Sequence, residues 1–305
     1  MKVFFKNGLL FLIFFLIFAE ILSRVLHITT DAPKTYKNEN GNVNYLPNQV
    51  GYWDGGKHKW FINSMGYPGK NLPESYDNLI LLIGDSYIQN FMNPDSCRQS
   101  AYLKELDSDY NFMEVAMDGL NLLGYFEYSK PLDSLAPLKK IIYVNNRDFR
   151  GDVYNGKDKG PYQVNLQDRF IYYPKYKGSK FKDFIYNFKF LYYLYRKNLK
   201  LINPNVVEIN NEIRAQKNNE QFNFKEIKNL LEFIKINYRT DNVILIFHPN
   251  SNRELVSFVK NIGFKVYEIQ KPENENWATE KDGHWNCEAH KKIAEQVDSV
   301  LKSSL

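Results

Sequence analysis

Short, mainly apolar runs alternate with longer mixed segments along the chain beyond residue 77. Runs of this length are typical of parallel strands that are covered on both faces. Five of them fit this description: residues 79–83, 112–116, 141–144, 243–247 and 264–269. They predict the five strands of a mostly parallel sheet.

Two of the mixed segments have the periodicity of helices. Residues 225–238 and 288–301 repeat apolar side chains at spacings of three and four, which places them on one helical stripe. Strand–helix alternation of this kind predicts an α/β fold with a doubly wound sheet in a three-layer sandwich. Sheets of this class carry their sites at the carboxyl ends of the strands.

The first 28 residues follow a different pattern. Residues 9–19 form an unbroken apolar run behind Lys2 and Lys6. Continued to residue 28, the segment reaches the roughly 20 residues that cross a bilayer as a helix. It predicts a signal anchor that crosses the membrane through residues 8–28.

The basic end of this anchor is expected to stay in the cytoplasm, which makes the rest of the chain periplasmic or extracellular. A cleaved signal peptide is the alternative, and it would export the chain equally. No small-x-small cleavage site follows the apolar run, which favours the anchor. Glu20 and Arg24 are four residues apart and can pair on one face at the far end of the helix.

Residues 29–77 are polar without a sustained period, and they predict a spacer and lead-in to a domain that spans 78–305. An insertion at about 151–222 interrupts the alternation and contains many aromatic and basic residues. One interpretation is a surface for membrane headgroups or a polyanionic glycan. We favour the other, an amphipathic helix with solvated lysines. Its apolar side chains would pack onto the sheet: Phe184, Phe188, Leu191 and Tyr195.

Composition narrows the function classes only slightly. A chain of 305 residues can bury a sizeable core, and its net charge of +5 is too small to indicate nucleic-acid binding without a matching motif. Cys97 and Cys287 are too few for a disulfide scaffold, so one bridge and two unpaired thiols are both open. The histidines and carboxylates lack metal-ligand spacing, and no glycine-rich loop suits a nucleotide. We therefore expect no metal and no cofactor.

The stretch LILLIGDSYIQNF, residues 79–91, places Ser86 directly after the most hydrophobic predicted strand. A serine becomes a nucleophile when a base takes its proton and a third group holds that base. The stretch KDGHWN offers both partners in a loop before the last helix, because Asp282 can turn its carboxylate onto Nδ1 of His284. The pattern predicts a triad of Ser86, His284 and Asp282.

The other four histidines are weaker candidates. His27 lies in the anchor, His58 in the lead-in and His290 inside the last helix. His248 ends the fourth predicted strand and could lie near the site, although such a residue is more often structural.

The two terminal motifs resemble those of the SGNH or GDSL-type hydrolases. Residues 82–87 match the first block of that family, and residues 282–286 match the last. The lead-in FINSMGYPGKN resembles the approach to the first block in membrane-anchored envelope members. The resemblance covers roughly residues 60–305 and implies a flavodoxin-like sheet.

The family also uses a glycine after the second strand and an asparagine after the third strand to complete an oxyanion hole. The resemblance thus implies an oxyanion hole formed by the Ser86 amide, Gly119 and Asn146. Gly124 and Asn145 are the alternatives for the last two. Aligning Asp148 with the Asp of the family block puts Arg147 where the family has its asparagine.

The resemblance implies acyl transfer through a covalent serine intermediate. The leading hypothesis is an extracytoplasmic serine esterase or O-acyltransferase that acts on acyl esters of carbohydrate, with acetyl as the expected acyl group. A non-catalytic SGNH-like binding or assembly protein of the envelope and a lipase are the alternatives.

Overall fold

The computed structural model describes residues 1–39, 41–53, 56–154, 162–173, 185–202, 222–279 and 283–304. These residues form two compact units. The helical unit comprises the described residues of 1–33, 51–59 and 177–221, and the sheet unit comprises those of 34–50, 60–176 and 222–305. Residues 34–50 and 60–77 of the predicted lead-in thus belong to the sheet unit.

The predicted five-stranded parallel sheet is confirmed. Its strands in chain order are β5 (Leu79–Gly84), β6 (Asn111–Ala116), β7 (Lys139–Val144), β10 (Val243–Phe247) and β11 (Lys265–Glu268). Each lies within two residues of its predicted bounds. Three shorter pairs form two-stranded sheets: β1 (Thr35–Lys37) with β2 (Val43–Tyr45), β3 (Gln49–Trp53) with β4 (His58–Ile62), and β8 (Gln163–Asn165) with β9 (Phe170–Tyr172).

The strand order places the reversal point of the fold beside Ser86. The sheet runs β11-β10-β7-β5-β6, and every pairing in it is parallel. In chain order this is the arrangement 2-1-3-4-5 of flavodoxin-like sheets, in which the winding direction changes between the first and third strands. Here that point lies between β5 and β7, and β5 runs directly into Ser86.

Helices flank the sheet because central strands such as β5 and β10 are buried on both faces. All six residues of β5 are buried, and alternate residues of a strand point to opposite faces. One face packs Ile80 and Leu82 with Leu103 and Ile293 of two helices. The helices are α1 (Lys2–Val25), α2 (Ser86–Gln89), α3 (Gln99–Leu106), α4 (Leu122–Ser129), α5 (Lys189–Ile202), α6 (Phe224–Asn237), α7 (Arg253–Asn261) and α8 (Cys287–Ser304). Two 3-10 turns occupy Asp95–Cys97 and Lys130–Leu135.

A buried ion pair supports the short helix α2 that carries Ser86. The guanidinium of Arg98 pairs with Glu114 on β6, and both side chains are almost fully buried. Arg98 also donates to the carbonyl oxygen of Gln89 at 3.2 Å. Removing one partner of such a pair leaves an uncompensated buried charge, which costs several kcal/mol. The pair therefore fixes α2 against the neighbouring strand.

The helical unit contains α1 and α5. Helix α1 is long and apolar enough to cross a membrane, although a signal sequence would have the same properties. The predicted helix in the insertion is present as α5, but its apolar side chains are not buried as expected. Phe188, Leu191 and Tyr195 are 41%, 39% and 39% exposed, and Phe184 lies outside the described residues.

His290 gives the sheet unit a measurable pH dependence. Its ring is buried in α8, where Nδ1 lies 3.2 Å from Nε2 of Gln99. Burial lowers the pKa of His290 to about 3, and the charge of Arg98 adds to the effect. Between that value and the ordinary pKa of about 6.5, the unfolded chain binds a proton that the folded chain does not. The free energy of unfolding contributed by His290 is therefore lost as the pH falls.

We expect this loss to amount to about 1.4 kcal/mol per pH unit. The variant His290→Gln cannot titrate at this position, so the difference in unfolding free energy between wild type and variant should shrink as the pH is lowered from about 6.5 to about 4.5. Urea unfolding at several pH values measures it. A difference that stays constant with pH would contradict the prediction.

Candidate active site

The strand β5 ends in a tight turn that presents Ser86. A Cβ on Gly84 would lie 2.5 Å from the side chain of Ile88, so glycine is needed for α2 to fold back this closely. Asp85 is the N-cap of α2, and its Oδ1 accepts a hydrogen bond from the backbone N–H of Tyr87 at 3.0 Å. Ser86 is thereby held as the first residue of the helix, at the carboxyl end of the sheet.

Asp85 also connects the turn to the neighbouring strand. Its Oδ2 accepts a hydrogen bond from Nδ2 of Asn145 at 3.4 Å. Burial raises the pKa of Asp85 above its ordinary value, and the charge of Asp118 adds to the effect, whereas the N–H of Tyr87 and the charge of His284 oppose it. The carboxyl group acts as a structural acceptor beneath Ser86.

His284 is held by a short antiparallel bridge before α8. The backbone N–H of Thr279 donates to the carbonyl oxygen of His284 at 2.8 Å, and that of Asn286 donates to Trp277 at 2.8 Å. The buried Trp285 anchors the loop in the core. The ring of His284 is therefore held in a fixed position at the carboxyl end of the sheet.

Ser86 and His284 meet although they are 198 residues apart. Nε2 of His284 lies 2.7 Å from Oγ of Ser86. A neutral imidazole at this distance can accept the serine proton, which is the geometry required of a general base. Asp282 lies outside the described residues, so its place as the third member stays a prediction.

A disulfide connects the loop after Ser86 to the helix after His284. Cys97 and Cys287 are bonded, with their Cα atoms 5.1 Å apart, which resolves the question that the sequence left open. Asn93 adds a second connection, because its Nδ2 donates to the carbonyl oxygen of Trp285 at 2.8 Å. The two halves of the site are thus tied together independently of the Ser86–His284 contact.

Two of the predicted oxyanion groups, the backbone N–H groups of Ser86 and Gly119, follow neighbouring strands at the carboxyl end of the sheet. As the first residue of α2, Ser86 has a backbone N–H that no carbonyl of its own helix can accept. Gly119 adopts a left-handed φ of +76°, and a Cβ added to it would have no other atom within 4 Å. Its loop follows β6, and the N–H of Met117 reaches the carbonyl oxygen of Gly84 at 3.4 Å. Gly124, the alternative, uses its N–H to bond Oδ1 of Asn121.

The structure distinguishes the two asparagines that follow β7. Oδ1 of Asn146 accepts a hydrogen bond from the N–H of Asn252 at 2.9 Å, in the loop before α7. Asn145 is the residue whose amide reaches Asp85, and its own N–H donates to Oδ2 of Asp148 at 2.7 Å. The role of Asn146 as an oxyanion donor stays a prediction, and Asn145 is the one that contacts the nucleophile turn.

An aromatic cluster surrounds the pair. The ring of Tyr87 lies 4.8 Å from that of His284, 4.9 Å from Trp285 and 4.6 Å from His248. Burial lowers the pKa of His248 to about 3, with the charge of His284 adding to the effect. His248 is therefore near the site as a neutral, buried ring.

Sequence reasoning missed three residues that support the site. Tyr87 donates its hydroxyl to the carbonyl oxygen of Gly283 at 3.1 Å. Asn93 links the two loops, and Tyr45 from the lead-in accepts a hydrogen bond from the side chain of Gln89. Only Tyr87 carried a sequence signal, its position next to Ser86. Tyr45 and Asn93 contact residues too distant in sequence for any local pattern to reveal.

Among the described residues, no group of histidine, cysteine, aspartate and glutamate side chains could hold a metal ion. Ser86 and His284 thus form a candidate nucleophile–base pair beside potential oxyanion donors. This arrangement suits acyl transfer.

No family model and no curated protein matches the chain. Among solved structures, the chain is similar to a protein from Desulfitobacterium hafniense DCB-2 described as lipolytic and of the G-D-S-L family, at 14% identity and a TM-score of 0.39 over 73% of this chain and 99% of that one. A protein from Bacteroides ovatus ATCC 8483 that is described as a GDSL-like lipase shows 14% identity and a TM-score of 0.34, over 77% of this chain and 100% of that one. Both TM-scores are below 0.5, so we assign the site from the distances within this chain.

We predict that Tyr87 positions the loop of His284. Tyr87→Phe keeps the ring and removes the hydroxyl that bonds Gly283, a bond worth about 0.5–1.5 kcal/mol. The reaction of Ser86 with a fluorophosphonate should slow about 2- to 10-fold. Tyr102→Phe, on the nearby helix α3, is the matched control and should leave the rate unchanged. Equal rates for Tyr87→Phe and wild type would contradict the assignment.

We also predict that the Cys97–Cys287 bond stabilises the sheet unit strongly. Replacing both cysteines by alanine removes the bond without leaving a free thiol. Because the bond joins residues 190 positions apart, its loss should lower the free energy of unfolding by about 2–5 kcal/mol. Guanidinium unfolding measures this directly, with the reduced wild-type protein as the second sample. A reduced protein as stable as the oxidised one would refute it.

Proposed function

We propose that this protein is an extracytoplasmic serine esterase or O-acyltransferase that acts on acyl esters of carbohydrate. The observation that carries the proposal is the 2.7 Å contact between Oγ of Ser86 and Nε2 of His284 at the carboxyl edge of the sheet. Serine and histidine at this separation, with the ring held by its own loop, form the core of a nucleophilic site.

The proposed reaction has two steps. Oγ of Ser86 attacks the ester carbonyl carbon while Nε2 of His284 takes its proton. The carbon–oxygen bond to the alcohol then breaks, and His284 returns the proton to the departing oxygen. In the second step a water molecule or a second hydroxyl attacks the carbonyl carbon of the acyl-serine while His284 takes its proton. The bond between that carbon and Oγ of Ser86 then breaks, and His284 returns the proton to Oγ. Water gives an esterase, and a hydroxyl gives a transferase.

Charge develops on the carbonyl oxygen in both steps. The backbone N–H groups of Ser86 and Gly119 are the proposed donors to it, and one asparagine after β7 is the third. Removing one such donor typically costs about 100- to 1000-fold in rate. Asp282 is proposed to hold Nδ1 of His284 and to fix its tautomer.

Two features support action outside the cytoplasm. Helix α1 is long and apolar enough for an anchor or a signal sequence. The Cys97–Cys287 bond supports the same compartment, because disulfides persist in exported proteins and are rare in the cytosol. Acyl esters of envelope carbohydrate are substrates that belong to this compartment, and we propose acetyl as the acyl group.

The experiment uses the full chain in detergent. Ser86 should react with a fluorophosphonate probe, and the protein should release acetate from an activated aryl acetate. Ser86→Ala should abolish labelling and lower turnover by about 1000-fold or more. Ser96→Ala, an exposed serine nearby, is the matched control and should behave as wild type. Turnover that survives Ser86→Ala would disprove the serine mechanism.

The substrate class needs separate comparisons. Acetylated polysaccharide should lose acetate faster than a long-chain aryl ester, and the reverse order would indicate a lipase. A transferase would convert an added carbohydrate acceptor to its ester at the expense of free acetate. A folded protein with neither labelling nor turnover would support the non-catalytic binding function instead.

A further inference from the structure

The far end of α1 lies close to the membrane surface if this helix is an anchor. An α-helix rises 1.5 Å per residue, so about 20 residues cross the roughly 30 Å of hydrocarbon. Helix α1 ends at Val25, and about 20 residues counted back from its end begin at Lys6. The apolar side chains along α1 are mostly exposed, as expected for contact with lipid. Glu20 is then about five residues, or about 7.5 Å, inside the boundary of the hydrocarbon.

Glu20 fixes the start of α5 at this depth. Its two carboxylate oxygens accept hydrogen bonds from the backbone N–H groups of Lys189 at 3.0 Å and Phe190 at 2.9 Å. Arg24 pairs with Glu20 at 2.7 Å and also donates to the carbonyl oxygen of Asn187. A carboxylate near hydrocarbon is expensive unless it is paired, and here a cation and a helix N-terminus satisfy it.

Two further contacts secure the same end of α5. The ammonium group of Lys189 pairs with Asp31, just beyond α1. The rings of Phe15 and Phe190 meet edge to face at 6.2 Å, one turn deeper along α1. The first turn of α5 is thus attached to α1 from both sides of Glu20.

The outer face of α5 is apolar. Leu191 and Tyr195 are four residues apart, which places them on one face, and each is 39% exposed. Phe188, immediately before the helix, is 41% exposed. Lys197 lies on a different side of the helix and places its ammonium group 5.7 Å from the centre of the Tyr193 ring. In the described part of α5, the exposed apolar side chains thus lie on a different side of the helix from Lys197.

We propose that α5 lies in the surface of the same membrane that holds α1, with Leu191 and Tyr195 inserted at the boundary between headgroups and acyl chains. The exposed apolar surface of α1 continues onto α5 through Phe15 and Phe190, so one lipid phase can cover both. Tyrosine is enriched at this depth, and helices with an apolar and a basic face bind there. This inference rests on the proposed anchoring by α1 and is independent of the catalytic proposal.

Site-directed spin labelling of the full chain in lipid nanodiscs tests the inference. Both cysteines of the chain are in the disulfide, so a single introduced cysteine takes the nitroxide under non-reducing conditions. The test variants are Leu191→Cys and Tyr195→Cys. Phe14→Cys on α1 is the lipid control, and Lys197→Cys is the matched control on α5. Power saturation with oxygen and with a water-soluble nickel chelate reports the depth of each label.

We expect the labels at Leu191 and Tyr195 to be more accessible to oxygen than to the nickel chelate, and to lie about 5–10 Å below the phosphates. Lys197 should be shallower, and Phe14 should be deeper. A label at Phe14 that lies deep, together with labels at Leu191 and Tyr195 that are exposed to water, would overturn the inference without contradicting the anchoring by α1. Labels at Leu191 and Tyr195 that neither reagent reaches would overturn it in favour of a protein contact. A water-exposed Phe14 would instead refute the anchoring itself.

Discussion

The complete burial of β5 determines where this protein can carry out chemistry. The strand pairs with β6 on one side and β7 on the other, and its side chains fill the core on both faces. It has no exposed position for a polar group until it ends. Asp85 and Ser86 are the first polar side chains at that end, and they lie where the winding of the sheet reverses. The sheet therefore supplies both the support and the opening for the site.

A parallel sheet brings loop ends together but does not by itself set distances of 3 Å between them. Here three covalent and polar links provide that precision: the Cys97–Cys287 bond, the contact of Asn93 with the loop of His284, and the hydroxyl of Tyr87 on Gly283. All of them connect the region after Ser86 with the region around His284. A nucleophile and its base that are held in this way need little reorganisation when a substrate arrives.

The helical unit distributes its apolar and polar side chains differently. Among its described residues, the exposed side chains along α1 and on one face of α5 are mostly apolar. Polar contacts are concentrated at Glu20, Arg24 and Lys189, where α1 approaches its end. This distribution is the reverse of that in the sheet unit, where apolar side chains are buried. It suits a segment whose solvent is lipid rather than water.

The sequence alone determined the strands and the apolar N-terminal helix, because each depends on a local pattern of apolar and polar residues. It also predicted the pairing of Ser86 with His284, because each residue lies in a recognisable motif, one after the first strand of the sheet and one before the last helix. The tertiary structure decided which asparagine after β7 faces Asp85, that the two cysteines are bonded, and that α5 belongs with α1. These outcomes depend on contacts between segments 60 or more residues apart. No local period encodes such contacts, since they are set by the way in which the whole chain packs.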